Sequence, residues 1–211
     1  MRISAIAAAA MLLTPLQAST QVQIDSGIPA ASVLASAVWL PAGNLTLVRV
    51  LRQMDRPVSR ARLDELADSL AAFAIRTEPE SRREVAAISI AVNSLGWAAM
   101  TGDAGVPYAG AASRLLRIAE QGTGTAPSGA ISAISRLPDR QEALRMLTYC
   151  AALDRPVAFA AIGHLDQSMG PEGRAALKAL YERGAIRNRL AQDVADDVAR
   201  RERWTAQSWR P

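Results

Sequence analysis

Residues 138–169 read PDRQEALRMLTYCAALDRPVAFAAIGHLDQSM, and this stretch decides the fold. It divides at Asp154-Arg155 into two apolar segments, each opened by a proline. Pro138 and Pro156 fall at or near a first helical turn, where the missing amide of proline costs nothing. The spacing predicts one helix over Pro138–Leu153 and a second over Pro156–Met169. Cys150 lies inside the apolar run Leu147–Leu153 and reads as a small core residue. It is the sole cysteine, so the chain can form no internal disulfide.

The same punctuation continues on both sides. Leu63, Leu66, Leu70, Phe73 and Ala74 recur on one face of a helix that Ser59 can cap. Thr77-Glu78-Pro79-Glu80 has the form of a capping box opening the next helix, in which the threonine hydroxyl and the glutamate carboxylate satisfy free amides reciprocally. That helix runs through Val85, Ile88, Ile90, Val92, Leu95, Trp97 and Met100 and reads as apolar on every side, the signature of a buried central helix. Further helices are expected over Pro29–Leu40, Asn44–Met54, Pro107–Gln121, Ser128–Leu137, Pro171–Arg183 and Ala185–Trp204. Gly122 and Gly184 suit the left-handed position that closes a helix. About ten helices with connections this short leave little room for a sheet, so the fold class is all-α.

Internal similarity points to stacking. Leu115, Ile118, Glu120 and Gly122 match Leu177, Leu180, Glu182 and Gly184 at a shift of 62 residues, with Met146 and Tyr149 halfway. A unit of about 31 residues is the length of one helix pair. Met54-Asp55-Arg56-Pro57-Val58 is echoed by Leu153-Asp154-Arg155-Pro156-Val157. The second copy, followed by Ala160-Ala161-Ile162-Gly163-His164-Leu165, resembles the turn and second helix of HEAT repeats, of the HEAT/armadillo-like class. It departs from the family pattern where Ala158 stands in place of an arginine, and Ser59 does so in the earlier copy. The resemblance implies a short right-handed helical-repeat stack over residues 29–204 and, as such stacks are usually binding scaffolds, a protein-interaction role.

The start of the chain carries a different signal. Arg2 and the apolar run Ile3–Leu13, followed by Pro15 and Leu16-Gln17-Ala18-Ser19, read as a secretory signal peptide over residues 1–18. The run is too short to span a bilayer. Residues 19–28 are expected to be an extended or disordered lead. The chain is therefore expected to be exported, to a bacterial periplasm or beyond. Only Lys178 among the 24 basic residues is a lysine, a bias that fits a GC-rich genome. Net charge is +4, or +3 without Arg2, an excess too small to indicate a nucleic-acid partner.

Chemistry is sparse. His164 is the single histidine, Asp166 is too close along the helix to face it, and one histidine with one cysteine cannot build a zinc site unaided. Gly122–Gly129 lacks the lysine and hydroxyl of a phosphate loop and reads as a connection. Asp64, Glu65 and Asp68 suit the opening turns of a helix. Asp193, Asp196 and Asp197 read as surface partners, with Arg189 four before Asp193, Arg200 four after Asp196 and Arg201 four after Asp197. No catalytic, cofactor-binding or metal-binding residue is assigned, and no cofactor is expected.

Candidate interaction residues are Arg49, Arg52 and Arg56 on one helix face, His164 on an expected second helix, and the basic, aromatic C-terminus: Arg200, Arg201, Arg203, Trp204 and, in the tail 205–211, Trp209. The first reading is a non-enzymatic scaffold for an unidentified protein partner, its groove lined by second helices. The second is a peripheral protein that meets an anionic membrane or cell-wall surface with its arginines and tryptophans. A third is a cell-wall hydrolase working with carboxylates alone, which needs two of them across a cleft.

Overall fold

The computed structural model describes residues 60–101 and 108–204, which form eight helices with no strand among them. They are α1 (Arg60–Arg76), α2 (Arg82–Thr101), α3 (Ala109–Gln121), α4 (Ala126–Ile134), α5 (Arg140–Ala151), α6 (Val157–Gln167), α7 (Gly170–Glu182) and α8 (Arg189–Glu202). The protein is all-α over this span. The signal segment 1–18, the lead 19–28, the helices expected over 29–40 and 44–54, Ser59 and the tail 205–211 lie outside the described residues.

Each helix packs on the one before it and on the one two before it. The odd helices form one row, α1 on α3, α3 on α5 and α5 on α7. The even helices form a second, α2 on α4, α4 on α6 and α6 on α8. The core lies between the rows. In the odd row Leu115, Leu147 and Leu177 are each fully buried, and burying a leucine is worth roughly 2 kcal/mol. In the even row Ala91, Ala126 and Val157 occupy equivalent buried positions, as do Leu95, Ala130 and Ala161 one turn further on.

Four local expectations change. The capping box belongs to Ser81 and Glu84: the Glu84 amide donates to Ser81 Oγ at 3.3 Å and the Ser81 amide to Glu84 Oε2 at 2.9 Å. Thr77 is still engaged by the end of α1, its amide donating to the Phe73 carbonyl, so the helix starts one cap later, a feature worth about 1 kcal/mol. Second, α2 is not apolar all round in its setting; Ala86, Ser89, Asn93 and Trp97 form one exposed strip. Third, Gly122 is extended at φ −66°, and the left-handed glycine of that turn is Gly124 at φ 58°; Gly184, at φ 63°, does close α7. Fourth, the residues of α5 equivalent to Leu115 and Ile118 are Leu147 and Cys150, both fully buried, not Met146 and Tyr149. The 62-residue shift divides into steps of 32 and 30 residues, and Tyr149 faces solvent, its hydroxyl donating to Glu120 Oε1 at 2.6 Å.

Polar ties join the odd row along its length. Arg114 reaches Asp68 Oδ2 at 2.7 Å and Asp64 Oδ1 at 3.4 Å, and Arg117 meets Asp68 Oδ1 at 3.0 Å. The Tyr108 hydroxyl donates to Asp64 as well. Burial, then this carboxylate, pushes the phenol up to about 12. Asp64 and Asp68 of α1 thus clamp α3 and its N-cap residue Tyr108, and they do not sit in the first turn. Arg155, in the turn before α6, donates to the carbonyls of Glu120 and, at 2.9 Å, Gly122, which would otherwise be free at the end of α3. Arg140 joins α5 to α7 through the Met169 carbonyl at 2.6 Å and Glu172 at 3.4 Å.

Candidate functional surface

The even row presents one outward face, and its residues align because the buried ones do. Steps of 35 and 31 residues carry Leu95 to Ala130 to Ala161; the same steps carry Asn93 to Ser128 to Phe159 and Trp97 to Ser132 to Gly163. Phe159 is 53% exposed and Trp97 is 41% exposed, two of the four large apolar side chains that stand in solvent among the described residues. The other aligned positions, Ser128, Ser132 and Gly163, carry small side chains or none. A Cβ built on Gly163 would meet no atom within 4 Å, so open space lies one turn beyond Phe159.

The polar part of this face gathers around His164. Its Nδ1 lies 3.0 Å from Ser168 Oγ. Burial first, and the Arg136 charge second, hold the imidazole below its usual pKa, so it is neutral at pH 7. Arg136 is exposed and braced on α4, its Nε donating to the Ser132 carbonyl at 2.9 Å. Asp166 does not orient the imidazole. It is only 6% exposed and pairs with Arg201 of α8. A neutral imidazole, hydroxyls, one guanidinium and an aromatic ring supply hydrogen bonding and apolar contact for recognition. Among the described residues no three metal-binding side chains converge, and no helix is long and apolar enough to cross a membrane.

The other sequence-derived candidates are dispersed. Arg49, Arg52, Arg56 and Trp209 lie outside the described residues. Arg200 pairs with Asp197, three residues back, and Arg201 crosses to Asp166, not to Asp197 as expected, while its Nε meets Glu202 of its own helix at 3.3 Å. Arg203 ends α8 in the left-handed region at φ 56°. Trp204 turns back to pack at a tilt of 52° against Tyr181, centroids 6.1 Å apart, so this aromatic is engaged by the domain. Cys150 is fully buried and its thiol is pushed up to about 12 by that burial, as a core residue requires.

Sequence reasoning passed over Phe159 and the Ser132–Arg136 brace. A signal existed: Val157, Ala158, Ala161, Ile162 and Leu165 define the buried stripe of α6, and Phe159 falls off it. Comparison with known proteins returned no match: no family model fits the chain, and neither a curated protein nor a solved structure is similar to it.

Proposed function

We propose that the chain is an exported, HEAT-like helical scaffold that binds a protein partner across the face of its even row. The alternating two-row packing carries this reading. Corresponding outward residues of α2, α4 and α6 stand in line, so one partner segment crossing the helices meets each in turn.

The composition of the rows supports a curve toward that face. Even helices approach through small residues: a Cβ on Gly96 would lie 3.1 Å from the Ala133 Cβ, and one on Gly129 would lie 3.4 Å from Val92. Odd helices are bridged by arginine, tyrosine and carboxylate side chains. Helix separation follows side-chain size over roughly 8–10 Å, so the even row is the shorter, inner one and its face is concave. The Leu153–Val157 turn, which joins α5 to α6, supports the same assignment of first and second helices.

Affinity capture of the full chain from an envelope extract tests the partner. The expected result is a stoichiometric protein lost with Gly163→Arg, which fills the open position, and retained with Arg145→Ala on the opposite row. Clean monomer under gentle lysis, or capture indifferent to Gly163→Arg, overturns the reading. Intact mass of the exported protein tests processing: a mature start near Ser19 is expected, and an unprocessed chain confined to the cytosol contradicts export.

A further inference from the structure

Among the described residues α8 is the last helix of the even row. Its buried residues are Ala191, Ala195, Val198 and Ala199, so the face it offers to α6 is small and nearly featureless. Two side-chain clasps sit together at its far end: Arg201 reaches the buried Asp166 of α6, and the Trp204 ring packs at a tilt against Tyr181 of α7. The segment 183–188 joins the near end to α7, with Gly184 left-handed at its start and the Asn188 side chain capping α8 at 3.2 Å from the Ala191 amide. Between the connecting segment at one end and the clasps at the other, α8 adds only small side chains to the core: Ala191, Ala195, Val198 and Ala199.

We propose that α8 is a latched arm that swings about residues 183–188 as one unit, with Arg201–Asp166 and Trp204–Tyr181 as the latch, while α1 to α7 remain folded. The local free energy of such an opening is set by the few apolar contacts of α8 plus its two clasps, and cooperative units of this kind exchange their amides independently of the global unfolding. Asp166 gives the latch its specificity. Its carboxylate is buried on α6 and takes its strongest partner from α8, so an arm lacking a guanidinium at position 201 leaves a buried charge uncompensated. Opening also bares Asp166 of α6, which is buried while the arm is latched. The device is independent of what the face carrying Phe159 binds.

Native-state hydrogen exchange on the full chain tests it. In the wild-type protein the amides of α8 are expected to exchange about 100-fold faster than those of α5 and α6. Arg201→Gln and Trp204→Ala are each expected to speed α8 exchange about tenfold and leave α5 unchanged. Equal protection of α8 and α6 in the wild type overturns the proposal, and needs no variant to fold. Acceleration of α5 and α8 together by Arg201→Gln also overturns it, because the clasp would then be part of the global core.

Discussion

The junction of α1 with α3 and the junction of α2 with α4 lie side by side in the same stack, yet they are built from opposite materials. The first is closed by Asp64, Asp68, Tyr108, Arg114 and Arg117, charges and a phenol that meet across the gap. The second is closed by Gly96 on the Ala133 side chain and Gly129 on the Val92 side chain. A two-row stack must space its rows differently to curve. On the proposed reading, long polar side chains space the odd, wide row and small ones the even, narrow row.

If that division holds, the narrow row should be intolerant of volume. Gly96→Leu places its Cβ 3.1 Å from the Ala133 Cβ, closer than ordinary contact, and adds three more carbons to a buried position, so a loss of about 3 kcal/mol is expected in urea unfolding. A loss under about 1 kcal/mol would show that the even helices can separate, and the argument for curvature would fail with it.

The wide row should be intolerant of lost charge geometry. The Arg114 side chain is only 14% exposed and serves Asp68, Asp64 and the Gly110 carbonyl. Arg114→Ala is expected to cost about 2 kcal/mol, and Arg114→Lys to recover less than half of it because an ammonium cannot reproduce the fork. A double-mutant cycle with Asp68→Ala should return a coupling near 1 kcal/mol. Additive losses would reduce the clamp to packing alone.

The contrast also explains what was legible in the residues. Helices announced themselves by spacing and by proline, and α5 and α6 fall within a few residues of where Pro138 and Pro156 place them. Caps were harder, because Thr77-x-x-Glu80 and Ser81-x-x-Glu84 have the same form and only the grip of the Phe73 carbonyl on Thr77 separates them. Pairings across the stack were not legible at all. Asp166 and Arg201 stand 35 apart, Asp68 and Arg114 stand 46 apart, whereas a linear reading pairs Arg201 with Asp197, four residues away, and leaves Asp68 to the opening turns of its own helix. Of the candidate surface, His164 was visible as the single histidine, whereas Phe159 was hidden inside an apolar run whose stripe only the packed helix defines.

The smallest expected effect sharpens the comparison through pH. Asp68 is half exposed, and its carboxyl is held below the usual range, chiefly by its hydrogen bond to Arg114 and against a desolvation penalty. A depressed folded-state value means that the contribution of the pair is complete above the unfolded pKa, about 3.9. It is lost as pH falls through the lower folded value. Solvent screening at a half-exposed group keeps the whole contribution under about 1 kcal/mol. The stability difference between wild type and Asp68→Asn should therefore be constant from pH 7 to about pH 5 and shrink towards zero below the folded value. Gly96→Ala, at the uncharged junction, should show a difference from wild type that does not change over that range. Parallel curves for the two variants would mean that the wide row is not held by its charges, and the division between the rows would have to be drawn on volume alone.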